Sequence, residues 1–327
     1  MNSISPTNSA RLLFLLLVAG GPLLSGQTAE VVDKNGLTPV RFAFSSRMFT
    51  DVNENDAKAS VKAWAMALAR ERGVPMSTEP IVLSGPAELK QALREASIDG
   101  AAVTTDEYLS LEPELQDTNL ILSFIGGRYT EEYLLLVRHD SGITDLRGLR
   151  GRKLALFDNV RASLAPAWLE LMLSEQGLGT PSDHFGQVLK AQKLAKVVLP
   201  VFFGQQDACI VTRRGFETMC ELNPQVRAQL RALATSPELV PAVGFMRRSY
   251  VSPLRGAVLS ALRGLEKSPA GTQVLTLFQS DQLGEAPASL LNSARELLEA
   301  HHRRSMSVVG ETRPAGLSAT SPGRPSL

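Results

Sequence analysis

Cysteine is almost missing from this chain: Cys209 and Cys220 are the only two in 327 residues. That is too few for a disulfide framework, and it leaves open either one bond between them or two buried thiols. Histidine is nearly as scarce. His139, His184, His301 and His302 share no metal-ligand spacing with each other or with the cysteines, so no metal site is expected. The chain also lacks a Walker loop, an HExxH helix, a G-x-S-x-G elbow and the dinucleotide glycine fingerprint. Without them the usual nucleophiles and bases have no evident partners, and neither an enzyme activity nor a cofactor is expected. No sign of charge prevails either. Lys and Arg number 34 against 33 Asp and Glu, which removes the basis for a polyanion-binding surface and sets nucleic acid aside as a partner.

Long hydrophobic runs are lacking too. The run at residues 12–19 (LLFLLLVA) is far below the roughly 20 residues that span a bilayer. It follows Arg11, breaks at Gly20, Gly21 and Pro22, and is succeeded by the small residues Ser25 and Gly26. That order reads as a secretory signal peptide over residues 1–29, with cleavage after Gly26 or Ala29 and a periplasmic mature protein. No cysteine lies nearby to carry a lipid anchor, so release in soluble form is expected.

What is present is an ordinary globular composition, 44% hydrophobic and 20% charged, at a length that suits two domains. Residues 40–45 (VRFAFS) alternate like a strand, and residues 56–73 carry Val61, Trp64, Ala65 and Leu68 at helical spacing. Short strands at 81–83 and 100–103 flank a helix at 86–96. A strand pair at 120–124 and 132–137 then leads into a second set: a strand at 153–157 (KLALF), a helix at 164–176 closed by Gly177, a helix at 191–203, a buried strand at 207–211 (DACIV) and a helix at 213–222. Strands alternating with helices predict an α/β fold with mixed, mostly parallel sheets covered by helices on both faces. A return strand at 240–246 and helices at 253–266, 270–278 and 287–302 complete the folded part. Residues 303–327, rich in Ser, Pro, Gly and Arg, read as a disordered tail.

In open sheets of this kind ligands sit beyond the carboxyl ends of the strands. Four polar clusters stand there: Ser45, Ser46, Arg47, Met48 and Phe49; Thr104 and Thr105; Asn159, Arg161 and Ser163; and Thr212 to Arg214. Hydroxyls, helix-start N–H groups and arginines suit a small oxyanion. The same residue types are also preferred helix caps with no ligand at all. An acid–base pair, if there is one, would be Asp207 with Glu107, but helix capping or hinge stabilisation is the better account of Asp207.

The stretch 133–151 (YLLLVRHDSGITDLRGLRG) resembles the segment of phosphonate-binding-type periplasmic proteins in which a strand ends in Arg, a D-S-G-I turn follows and a short helix leads to a Leu-x-Gly element. Residues 96–108 (ASIDGAAVTTDEY), 153–177, 204–211 (GQQDACIV) and 233–247 resemble further elements of the same family, so the likeness spans roughly 40–283. The resemblance implies a type II periplasmic-binding-protein fold. Lobe 1 is then discontinuous, residues 38–125 plus 238–302, lobe 2 is 130–235, and the ligand lies in the cleft between them. It also implies a monomeric, non-catalytic solute-binding component of an ABC transporter, which captures a phosphonate- or phosphate-like anion and delivers it to a membrane permease. A membrane sensor is the alternative partner. The candidate ligand residues, taken from the strand ends and from the resemblance together, are Ser45, Ser46, Arg47, Phe49, Thr104, Thr105, Arg161, Ser163 and Asp207. One departure is plain: the family's Ser-Thr-Ser-Gly helix start is here Arg161-Ala162-Ser163-Leu164, with Arg161 as a replacement anion ligand.

Overall fold

The computed structural model describes residues 38–49, 53–277 and 279–311; the signal peptide and residues 312–327 of the tail lie outside the described residues. The strands are β1 Phe42–Ser45, β2 Ile81–Leu83, β3 Gly100–Thr104, β4 Asn119–Phe124, β5 Tyr133–Arg138, β6 Lys153–Phe157, β7 Gln187–Ala191, β8 Ala208–Thr212, β9 Leu230–Thr235, β10 Ala242–Met246 and β11 Gln282–Pro287. They form two sheets, ordered β11-β4-β10-β3-β1-β2 and β7-β6-β8-β5-β9. Each sheet is the centre of one lobe.

The two lobes are wound alike. In lobe 1, β1 runs parallel to β2 and β3; in lobe 2, β6 runs parallel to β7 and β8. Parallel neighbours need a crossover, and helices supply it. The strand arriving from the other lobe enters against that direction: β10 is antiparallel to β3 and β4, and β5 to β8 and β9. Antiparallel pairings therefore hold a larger share of both sheets than the βα repeats alone suggest.

Local chemistry fixes the helices that carry the site. Helix Glu54–Arg72 is capped by Asn53, whose side chain accepts from Asp56 N–H, and it ends at Gly73 in the left-handed region, φ 65°. Its buried stripe, Val61, Trp64, Ala65 and Leu68, lies on one face of the lobe 1 sheet, with the Trp64 ring 5.0 Å from Phe42 and 5.3 Å from Phe44. Helix Ala165–Glu175 buries Trp168, Leu169 and Leu173 on the lobe 2 sheet. Cys209 and Cys220 are free, buried thiols on the opposite side of that sheet.

The chain crosses between lobes near residues 125–132 and 236–241. The two crossings bond to each other, Glu131 N–H to the Leu239 carbonyl at 2.8 Å and Leu239 N–H to the Glu131 carbonyl at 2.9 Å. That pair of bonds is the hinge.

The end of the chain differs from the sequence expectation. Residues 292–302, assigned to lobe 1, belong to helix Asn292–Glu311, and its Ala294 and Leu297 sit in the lobe 2 core with Trp168 and Leu173. His301 Nε2 lies 2.6 Å from Glu170 on the same lobe. The helix also runs to Glu311, past residue 303 where the tail was expected to begin. Its apolar stripe faces helix Ala165–Glu175, which has an outer side to cover.

Candidate functional site

The carboxyl ends of β1, β3, β6 and β7 meet at a cavity of ≈ 280 Å³ whose lining comes from both lobes. Lobe 1 contributes Arg47 and Thr104; lobe 2 contributes residues 156–160, Ser163 and Lys190 among others. Two cations, Arg47 and Lys190, face one carboxylate, Asp158.

On the lobe 1 side the polar groups are held from behind by Glu107. Its buried carboxylate accepts from Ser45 Oγ at 2.8 Å, Thr104 N–H at 3.0 Å and Thr104 Oγ1 at 2.9 Å. A buried carboxylate with three donors is satisfied and rigid. Arg47 sits in the turn Ser46–Met48 and spends Nη1 on Asp106 at 2.6 Å, both side chains being partly exposed. Its remaining donors are available to a ligand. Thr105 is fully buried; its N–H bonds the Pro241 carbonyl at 3.0 Å, and its Oγ1 has no hydrogen-bond partner.

On the lobe 2 side Asn159 caps the turn after β6 by accepting from Arg161 N–H at 2.9 Å. Ser163 Oγ donates to the Pro241 carbonyl at 2.7 Å, so one carbonyl on the return crossover receives donors from both lobes. Arg161 points away from the cavity. Its Nη2 donates to Ser123 Oγ at 2.8 Å and to the Gln279 carbonyl at 2.7 Å, both in lobe 1. The Glu131 carboxylate lies 4.0 Å from Arg161 and 3.8 Å from Arg214. Burial pushes the Glu131 carboxyl above the usual glutamate range, against the pull of the two arginines. Burial also lowers the Arg161 guanidinium from its ordinary value, with Glu131 opposing. Tyr133 at the start of β5 is buried beside this region, which raises its phenol.

A second cavity, ≈ 470 Å³, flanks the hinge. Arg128, Arg213 and Arg214 line it together with Glu131, Glu132, Glu217 and Glu238. Its charges are largely spent on each other: Arg213 Nε reaches Glu132 at 2.5 Å, Arg214 faces Glu131, and Arg128 lies 3.9 Å from Glu238.

Of the residues singled out in the sequence, the structure brings Arg47, Thr104, Asn159 and Ser163 together at one cavity. Ser45 faces Glu107, and Ser46 is exposed on the turn. Phe49 packs down on Phe44, ring centroids 5.9 Å apart, into the lobe 1 core. Thr212 caps the helix that follows it by accepting from Gly215 N–H, and its neighbours Arg213 and Arg214 line the hinge cavity. Asp207 is displaced from the expected place. It precedes β8, at the end of that strand away from the cleft, where it accepts from Lys153 N–H at 2.8 Å and pairs with Arg152 at 3.3 Å. It cannot share a site with Glu107. Lys190 and Ser123 were not anticipated. Lys190 stands near the end of β7, a strand hidden by its exposed pattern, and nothing in the local sequence marks Ser123 as the partner of Arg161.

A family model described as ABC transporter, phosphonate, periplasmic substrate-binding protein matches residues 47–291. Among solved structures, a binding protein component of an ABC phosphonate transporter from Pseudomonas aeruginosa is similar at TM-score 0.55 and 15% identity, over 86% of this chain and 91% of that one. A Xanthomonas citri protein bound to ATP gives TM-score 0.57 at 18% identity, over 82% of this chain and 98% of that one. PhnD1 from Prochlorococcus marinus in complex with methylphosphonate gives 0.54 at 14%, over 81% and 98%. At such identities the likeness establishes the two-lobed fold. No curated protein matches the chain in sequence.

Proposed function

The chain belongs to the family of periplasmic substrate-binding proteins of ABC phosphonate transporters, and from that premise we propose that its ligand is a small phosphonate- or phosphate-like anion held between the lobes. The observation that carries the reading is the cavity at the strand ends: ≈ 280 Å³, walled by both lobes, with Lys190, Asp158 and the Asp106-bonded Arg47 in its lining. Its size lies at the lower end of small-molecule sites. Lys190 and the Arg47 donors not bonded to Asp106 supply charge-assisted donors, while the Thr104 and Ser163 hydroxyls, which already donate to Glu107 and the Pro241 carbonyl, can only accept from a protonated oxygen of the ligand. Because the walls belong to different lobes, a ligand touching both favours the closed arrangement, and hinge closure is the functional step. The chain is exported by its signal peptide, acts as a monomer and hands the anion to a permease.

The test is a thermal-shift screen followed by calorimetry with methylphosphonate, phosphate, methanesulfonate and a small amine. A ligand at 100 times its Kd stabilises by about 2.7 kcal/mol. At least one oxyanion is expected to raise the melting temperature and the amine is not. Stabilisation by the amine alone would overturn the anion assignment. N-terminal sequencing of exported protein is expected to begin at Gln27 or Glu30.

A further inference from the structure

The lobe 1 sheet has a low place in its middle. Ala102 on β3 and Gly244 on β10 stand directly across from each other in the ladder, and Ala242, one step nearer the cleft on the same face, is paired with Thr104. These positions carry one methyl or none, while Phe44, Trp64, Ile121, Leu262 and Leu275 rise around them. The result is an apolar trough of ≈ 80 Å³ with Ser123 as its polar edge. Ala102 is consequently part-exposed although its strand lies between β1 and β10. Space here is limiting: a methyl added at Gly244 would lie 3.2 Å from Ile121 Cβ.

The trough adjoins the interlobe site. Met48 on its rim follows Arg47 of the anion cavity, and Ala242 pairs across the ladder with Thr104 of that cavity. At the far rim the Ser123 hydroxyl accepts from the Arg161 guanidinium. An interior with almost no polar atoms thus lies next to the cavity that holds Arg47 and Lys190. That arrangement matches a molecule with an anionic end and a hydrocarbon end.

We infer that the ligand is an amphiphilic anion, an organophosphonate or chemically similar oxyanion whose short alkyl substituent lies in the lobe 1 trough while its head occupies the interlobe cavity. An apolar cavity of about 150 Å³ admits benzene, so the trough accommodates about three carbons. The inference rests on the anion reading above and adds the nature of the substituent.

Calorimetry with methyl-, ethyl-, propyl- and pentylphosphonate tests it. Affinity is expected to rise about fourfold with each methylene buried, up to propyl, and then to stop rising. Ala102→Leu, which fills the trough, is expected to keep methylphosphonate binding and abolish the chain-length gain, with its melting temperature reporting that it folds. Gly244→Ala is the smaller filling change if the first fails to fold. Methylphosphonate binding with a flat series would overturn the trough as a subsite and leave the anion reading standing. If no phosphonate, phosphate or sulfonate binds, the anion reading fails, and the trough is then probed alone. Trp64 lines it, and the only other tryptophan is Trp168 in the lobe 2 core. In a Trp168→Phe background, saturable quenching of Trp64 by neutral 3-bromopropanol, abolished by Ala102→Leu, would support an apolar subsite; absence of such quenching would overturn it.

Discussion

Two cavities open between the lobes, and they differ in how their charges are spent. At the hinge three arginines meet four glutamates, with Arg213 2.5 Å from Glu132, Arg214 3.8 Å from Glu131 and Arg128 3.9 Å from Glu238. At the strand ends Arg47, bonded to Asp106, and Lys190 stand beside Asp158, and the hydroxyls there donate to Glu107 and to the Pro241 carbonyl. The larger cavity is therefore closed upon itself electrostatically, while in the smaller one Lys190 and the Arg47 donors not bonded to Asp106 are left for an added anion. Cavity volume ranks them one way and unspent charge ranks them the other. For a binding protein the second criterion decides, since a donor already paired gains little from a ligand.

The substitution with the largest expected effect lies between the two cavities. Arg161→Ala removes the bonds to Ser123 and Gln279 and leaves Glu131 buried beside Arg214 alone. Loss of one partner of a buried pair costs about 3–5 kcal/mol, a fall of roughly 10 °C in melting temperature for a protein of this size. Calorimetric unfolding of the ligand-free variant measures it; a shift below about 1 kcal/mol would show that Arg161 does not join the lobes.

Arg47→Ala should instead separate affinity from stability. Removing a charge-assisted contact weakens anion binding by about tenfold or more, while the part-exposed pair with Asp106 contributes at most about 1 kcal/mol to folding. Equal affinity in parent and variant would dissolve the distinction drawn between the cavities.

Smaller still is the pH effect of Glu131. Burial raises its carboxyl above the unfolded value, so the folded protein holds this proton more tightly than the unfolded chain does. The stability so contributed is complete below the ordinary glutamate range and is lost as pH rises through the raised value. Glu131→Gln should flatten the melting-temperature profile over that window, and an unchanged slope would assign the pH dependence elsewhere. The smallest effect belongs to Arg128→Ala at the hinge, whose partner Glu238 is 3.9 Å away with both side chains exposed. Stability should change by no more than about 0.5 kcal/mol and affinity not at all.

Strands buried on both faces are legible in the sequence: FAFS, GAAVT, KLALF and ACIVT each form the strand their apolar runs predict. The edge strands β7 (QVLKA) and β11 (QLGEAP) are not, because mostly exposed residues leave no alternation to read. Likewise the C-terminal helix is visible from its stripe, but not the lobe it covers. Among candidate site residues, Ser45, Thr104, Asn159 and Ser163 are recognisable as cap-type residues after strands, but capping and ligand binding use the same oxygen and cannot be told apart from residue type.

The order of α/β units, their doubling into two lobes and the polar character of the strand ends follow from residues close together in the chain, because burial periodicity and capping act within a few positions. The direction of a long charged side chain does not. Arg161 finds Ser123, 38 residues before it, and Gln279, 118 residues after it, and the trough exists because Ala102 and Gly244, far apart in the sequence, become ladder partners. Such pairings depend on which surfaces the assembled lobes bring within a few ångströms. Tertiary packing alone decided that Arg161 joins the lobes while Arg47 lines the cavity at the strand ends.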